Sequence, residues 1–387
     1  MNNQNIIHFL KAILYRLTFI FPLAFSFAVC FGMNGVIGVL FAAVAMIFMP
    51  ETKVSKIMPV YLSFMITGYA LTAHDLGTAF GAFIVCGILL ILSSFFYQKI
   101  KKLITSPAVS GVMLATALTV TVLITTHYFG IGATGNNVRE MIESYISLGF
   151  HPNWRGVLYG TIVMVIMITF PRKFKSFSKT VSASFVAIVI TLILNLFLNP
   201  PFMSSAINEI PNGDIRDVIP FILLRPDSLA DNFGAEKLFA ITAIGTALFV
   251  TSFYAISSNE KTDNKNYLSS GIANGIIGGA ISFPLPYGIN KEKSSLLAGI
   301  TAAIIAALTL LFGNDILLRI PLHSCAVILI VGAWQSVKWG EIKKAFSGII
   351  PIAVFTVSII SCLALNIIYG VIISAIISAF YSLKKES

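Results

Sequence analysis

Long apolar runs recur along the whole chain, and they fix what it can fold into. Bounded by charge, proline or glycine, they fall at about 17–33, 35–49, 58–73, 77–97, 105–126, 155–170, 180–199, 238–257, 267–281, 283–290, 295–312, 317–334, 346–364 and 365–382. A hydrocarbon core of about 30 Å takes roughly 20 apolar residues per helix, and many of these runs reach that length. In lipid every backbone N–H and C=O must be satisfied within the chain, so such runs become helices. Charged residues make up 11% of the 387 residues and hydrophobic ones 57%, against about 25% charged in soluble proteins. The expected fold is all-α and polytopic, with about fourteen transmembrane segments.

Charge placement orients these spans. With fourteen crossings both termini share one side. Only Arg139, Arg155, Arg216, Arg225, Lys237 and Arg319 of the 26 basic residues then fall in the opposite loops. The rest, Lys11 and Arg16 and the run Lys99, Lys101, Lys102 among them, lie in terminus-side loops. Asp75, Glu209, Asp214, Asp217, Asp227 and Asp231 sit on the opposite side. By the positive-inside rule both termini are cytoplasmic. The net charge of +10 is thus a topology signal and calls for no nucleic acid. Apolar residues 17–33 are followed by no clear cleavage site, and no soluble domain is visible.

The polar stretch 200–237 divides the chain into a first repeat, 1–199, and a second, 238–387, each of about seven segments. An odd number per half makes the second enter the membrane from the opposite face, the arithmetic of an inverted repeat. The third segment, opened by Pro59, and the tenth, opened by Pro284 and Pro286, are both short. Interrupted segments at corresponding positions point to a binding site near mid-membrane. Two half-helix N-termini converging there offer free N–H groups and positive dipole ends, which favour an anion. Gly271, Gly275, Gly278 and Gly279 would let neighbouring helices approach closely.

The same stretches resemble the SulP anion-transporter family. "FPLAFSFAVCFGMNGVIGVL" matches that family's opening pattern through Pro22, Ala28, Gly32 and Gly38, with Phe27 in place of a tyrosine. "MPVYLSF" is similar to its Gly-Pro-Thr-Ala segment, with Pro59 on the proline and Lys53 near the preceding arginine. "TDNKNYLSSGIANGIIGGAISFP" matches at Asp263, Leu268, Gly271, Ala273, Asn274, Gly278 and Gly279. "SSLLAGI" and "RIPLHSCAVILI" resemble the helices that follow.

The resemblance implies core and gate domains and a small inorganic or carboxylic anion held between segments three and ten. The family usually carries a cytoplasmic STAS domain after the last helix, and none is expected here. The departures are specific. The family's first-helix glutamine falls at Leu23, its eighth-helix acid at or near Leu248, and the glutamate of its Asn-Arg-Glu-Leu stretch at Tyr267. Lys291 could take the place of the family's anion-facing arginine, but its plainer reading is an ordinary cytoplasmic-loop lysine. No acid lies inside an expected span, which weakens proton- or sodium-coupled symport and leaves exchange intact.

The candidate substrate site therefore takes backbone N–H groups of Val60, Tyr61, Leu62, Gly288 and Ile289. Hydroxyls of Ser26, Tyr61, Ser63, Thr251, Ser252 and Tyr287 add contacts, and Phe27 caps the pocket. Each hydroxyl also has a plainer use, bonding back to its own helix. His74 and Asp75 form an outer pair; Asn274 closes a helix contact. His8, His127, His151 and His323 lack ligand spacing, so no metal and no cofactor is expected. Cys30, Cys86, Cys325 and Cys362 read as small buried hydrophobes. Sulfate, bicarbonate and chloride are all admissible substrates, and a homodimer is compatible with the reading. The alternatives are a transport-inactive scaffold or receptor, or a nucleobase-type permease. A membrane enzyme would need polar clusters that the spans lack.

Overall fold

The computed structural model describes residues 3–31, 65–66, 69, 76–135, 137–198, 234–257, 264–272, 297–306, 308 and 319–386. Within them the regular elements are helical. In chain order they are α1 (Asn3–Cys30), α2 (Leu76–Ser94), α3 (Tyr97–Leu103), α4 (Ser106–Phe129), α5 (Val138–Leu148), α6 (Trp154–Lys173) and α7 (Ala183–Leu198). Then come α8 (Ala235–Ser257), α9 (Asn264–Ile272), α10 (Leu297–Ala306), α11 (Leu322–Ser336), α12 (Trp339–Ala345), α13 (Ile349–Ala364) and α14 (Ile367–Glu386). Five described helices, or six if the bent pair α11–α12 is one span, are long and apolar enough to cross a membrane.

Two interior prolines show how the chain satisfies its backbone. Pro22 in α1 and Pro171 in α6 each lack an N–H, leaving the carbonyl four residues earlier without its helical donor. Both carbonyls are taken up from neighbouring elements. The Ser182 hydroxyl donates to Thr18 O, and Gln335 Nε2 donates to Met167 O at 3.1 Å. The proline kinks thus become attachment points between helices.

One expectation is corrected at the start of the chain. Lys11 and Arg16, read as loop residues, lie inside α1, which begins fourteen residues before the expected span at 17. Arg16 is completely buried. Apolar residues Ile6, Ile7, Phe9, Leu10, Ile13 and Leu14 carry helical packing past the two charges, and the charges alone mark no boundary.

Packing divides the described helices. α8 and α9 lie on α2, while α4 packs against α11, α13 and α14, and α6 against α11 and α7. α1 runs along α11 and α7. Gly271 meets α2 closely: a Cβ there would stand 2.9 Å from Gly87 O and 2.7 Å from Ile91, so the expected small-residue contact is present. α14 docks through serines one turn apart. Ser374 donates to Ala108 O (3.4 Å), Ser378 to Leu103 O (2.9 Å) and Ser382 to Lys102 O (2.7 Å). Hydroxyls on one face of α14 thus grip the α3–α4 junction, a polar attachment suited to an apolar surround.

Three short helices, α3, α5 and α12, join the spans and were not expected from hydropathy. α5 is closed at its start by reciprocal bonds: Glu140 N donates to Asn137 Oδ1 (2.9 Å), and Asn137 Nδ2 donates to Glu140 Oε1 (2.6 Å).

Candidate functional site

Among the expected site residues, Ser26, Phe27, Thr251 and Ser252 are described. Val60, Tyr61, Leu62, Ser63, Tyr287, Gly288, Ile289 and Lys291 lie outside the described residues, as do His74, Asp75 and Asn274. Ser26 Oγ is fully buried beside the Cys325 thiol of α11 and has no hydrogen-bond partner among the described residues. Phe27 is buried one position on and stacks with Phe31, ring centroids 6.1 Å apart. Thr251 Oγ1 donates to Ala247 O at 2.8 Å, so in this state its proton is committed to its own helix. Ser252 turns elsewhere, against the Cys86 thiol of α2.

The residues that these positions share with their surroundings are more informative than the positions themselves. Among the described residues three cavities lie along α4. A cavity of about 260 Å³ at the C-terminal end of α4, the outer end in the orientation expected from the charges, is lined by Thr119, Leu123, Thr126 and His127 of α4, with Cys30, Phe31, Met65, Tyr69, Asn137 and Asn366 opposite. A small apolar cavity of about 50 Å³ lies against Ala108, Val112 and Thr116, walled by Thr251 and Tyr254 of α8 and Ser374 of α14. A cleft of about 240 Å³ at the start of α4, the inner end in the same expected orientation, is lined by Thr105, Ser106, Ser110, Tyr254, Lys338 and Glu341. The inner cleft and the apolar cavity share Val109, Met113 and Tyr254 in their walls. Along α4, Thr116 lines the apolar cavity and Thr119, one turn on, lines the outer cavity. Both threonines are buried and bond back to Val112 O (2.7 Å) and Ala115 O (2.9 Å).

Each end of α4 carries its own polar fittings. At the outer end His127 Nε2 lies 2.7 Å from Cys30 O, tying α4 to the end of α1. His323 of α11 reaches Tyr128 O through Nδ1 at 3.1 Å. The histidines that looked scattered in sequence thus include two neighbours, each held by a backbone carbonyl. At the inner end the Ser106 hydroxyl donates to Glu341 Oε2 at 2.8 Å, and Lys344 Nζ stands 3.2 Å from Glu341 Oε1. The Ser106 hydroxyl, followed by Lys344, holds the Glu341 carboxyl below its ordinary pKa.

The family positions that depart from pattern are filled by packing. Leu23 and Leu248 are buried apolar side chains. Tyr267 is wholly buried, with its hydroxyl 2.7 Å from Ser257 Oγ and its ring 4.9 Å from Phe253 and 5.5 Å from Tyr97. Where the resemblance leads one to expect buried polarity, this chain builds a core.

A bundle of apolar helices with a cavity at each end of one helix has the form of a polytopic membrane transporter. The chain belongs to the Sulfate permease family, whose sequence profile matches residues 8–360, and members of that family are transporters and not enzymes. Comparison with curated proteins finds no match.

Solved structures share the fold. The transmembrane domain of a cyanobacterium bicarbonate transporter, BicA, aligns with TM-score 0.65 at 15% identity, over 99% of this chain and 98% of that one. SLC26A9 aligns with TM-score 0.64 at 12% identity, over 98% of this chain and 66% of that one. The murine Slc26a9 anion transporter in the inward-facing state aligns with TM-score 0.65 at 11% identity, over 100% of this chain and 69% of that one. The chain therefore spans about two thirds of the two longer proteins.

Proposed function

We propose that this protein is a secondary transporter that moves a small inorganic anion, sulfate, bicarbonate or chloride, by alternating access. The observation that carries the reading is the pair of cavities along α4, with the buried turn Thr116–Thr119 between them on that helix. A transporter needs a route that opens to either side around a fixed site, and a thin, well-packed barrier between two vestibules is the minimum such device. In this reading two inverted seven-segment repeats, residues 1–199 and 238–387, hold both termini in the cytoplasm. The 200–237 connection is then extracytoplasmic. The anion sits between half-helices three and ten, on the backbone N–H groups of Val60, Tyr61, Leu62, Gly288 and Ile289. Ser26, Phe27, Ser63, Thr251, Ser252 and Tyr287 surround it, and Lys291 is the candidate charge.

The spans expected from the sequence carry no acidic residue, which favours exchange driven by a counter-anion over cation-coupled uptake. The test is uptake of labelled sulfate, bicarbonate or chloride into proteoliposomes, with and without an internal counter-anion. Uptake of at least one anion, dependent on the internal anion and indifferent to proton or sodium gradients, is expected. Folded protein that moves none of them would leave the transport-inactive scaffold as the reading.

A further inference from the structure

We propose that α5 is an interfacial helix, seated with its Ile142–Ile146 ridge in the headgroup boundary of the outer leaflet. The inference rests on the membrane placement of the chain and not on which anion it carries.

Three ridges run side by side along α5. Met141 and Tyr145 form the first: Met141 is 5% exposed, and the Tyr145 hydroxyl approaches Val122 O of α4 at 3.5 Å. Ile142 and Ile146 form the next, 44% and 77% exposed although wholly apolar. Arg139 and Glu143 form the third, paired with each other at 2.8 Å and well exposed. Each ridge joins residues four apart, so the border between exposed apolar and charged surface runs along the helix axis. A helix immersed in water has no use for the second ridge, and one immersed in lipid cannot keep the third. At 11 residues, about 16 Å, α5 is too short to cross a bilayer. The pattern is that of a helix lying along a boundary between water and lipid.

Its neighbours place it at such a boundary. α4 ends at Phe129 and α6 begins beside it, with Asn153 N donating to Phe129 O at 2.7 Å. Both helices are long and apolar enough to span, so their junction marks a membrane edge. The Tyr145 contact sets the middle of α5 against the last two turns of α4. Phe150, just past α5, packs edge-on against Phe129, ring centroids 5.1 Å apart, and remains exposed. From that level Trp154, Leu158, Val165 and Ile168 descend α6 as one exposed stripe, at i, i+4, i+11 and i+14. On a membrane span such a stripe faces lipid, and tryptophan is the residue favoured at headgroup level. Ile142, Ile146, Phe150 and Trp154 thus carry exposed apolar surface from α5 to the head of the lipid-facing stripe. On its other side α5 contributes Asn137, Val138 and Met141 to the outer cavity. The helix therefore stands between that cavity and the leaflet.

The experiment attaches a nitroxide to Ile146→Cys and, separately, to Glu143→Cys, in cysteine-free protein reconstituted at a high lipid-to-protein ratio. Collisions with oxygen against those with a water-soluble nickel chelate read the depth of each label. The label at 146 is expected about 5–10 Å below the phosphates, and the label at 143 in water. Equal access of the nickel chelate to both positions overturns the proposal. So does a label at 146 that both quenchers miss and a second label broadens, since a second copy of the chain would then cover the ridge. Should the cysteine-free chain fail to fold, Ile146→Trp and Glu143→Trp in the otherwise unaltered chain decide. Lipid brominated near the headgroup should quench the added emission at 146 and spare that at 143; equal quenching overturns the proposal. Neither reading needs transport, so a protein that moves no anion sinks the function proposed above and leaves this inference standing.

Discussion

Gly156→Ala is expected to lower the unfolding free energy by about 2–4 kcal/mol, because the new methyl must evict a buried histidine. A Cβ at Gly156 would stand 2.1 Å from His323 Nε2 and 2.2 Å from its Cε1. The ring cannot rotate away freely. It is buried, and its Nδ1 is bonded to Tyr128 O, so moving it leaves a carbonyl without that donor in an apolar surround. α6 and α11 would part at the same point. The measurement is thermal or denaturant unfolding in detergent, with a second chain carrying His323→Ala beside Gly156→Ala. The double variant should recover much of the loss, since a small side chain at 323 makes room for the methyl. Equal loss in both chains would show that the contact does not limit α6–α11 packing.

Thr119→Trp is the variant expected to damage transport most while sparing the fold. The outer cavity of about 260 Å³ can take an indole, so the bundle need not expand to accept it. With that space filled, the outer vestibule cannot open onto the turn between Thr119 and Thr116. Anion exchange should fall by about tenfold or more, because one of the two required states no longer admits substrate. Monodispersity and helical content should match wild type. Full exchange by a folded Thr119→Trp protein would mean that the outer cavity is not on the route.

The helical class and most span positions were legible because hydropathy reports burial in lipid directly. Residues 105–126, 155–170 and 346–364 were expected as spans, and α4, α6 and α13 cover them with ends shifted by a few residues. The start of α1 was less legible. Lys11 and Arg16 look like a boundary when charge is taken to mean water, yet a charge can be buried where its neighbours wrap it. α5 was missed although Val138, Met141, Ile142, Tyr145 and Ile146 follow helical spacing and Asn137 with Glu140 marks its start. That helix is too short and too polar to register as a span, so only periodicity reveals it. The His127–His323 meeting at the outer end could not be read from sequence, because it depends on how α4 and α11 cross. Nor could the cavities along α4, since their walls come from segments far apart in the chain. Thr251, expected as a substrate contact, lines the small apolar cavity, and its hydroxyl, committed to Ala247 O, shows the plainer use that any membrane-helix threonine has.

Alternating access along α4 is tested most directly by thiol accessibility from each side of the membrane. In a chain with Cys30, Cys86, Cys325 and Cys362 replaced by alanine, single cysteines at Thr119 and Ser106 report the outer cavity and the inner cleft. A membrane-impermeant thiol reagent is applied to oriented vesicles with and without the transported anion. The account predicts that Thr119→Cys is labelled only from the outside and Ser106→Cys only from the inside. Any condition that speeds one labelling should slow the other. Labelling of both positions at once, in the same state and without reciprocal change, would describe an open pore and contradict the account.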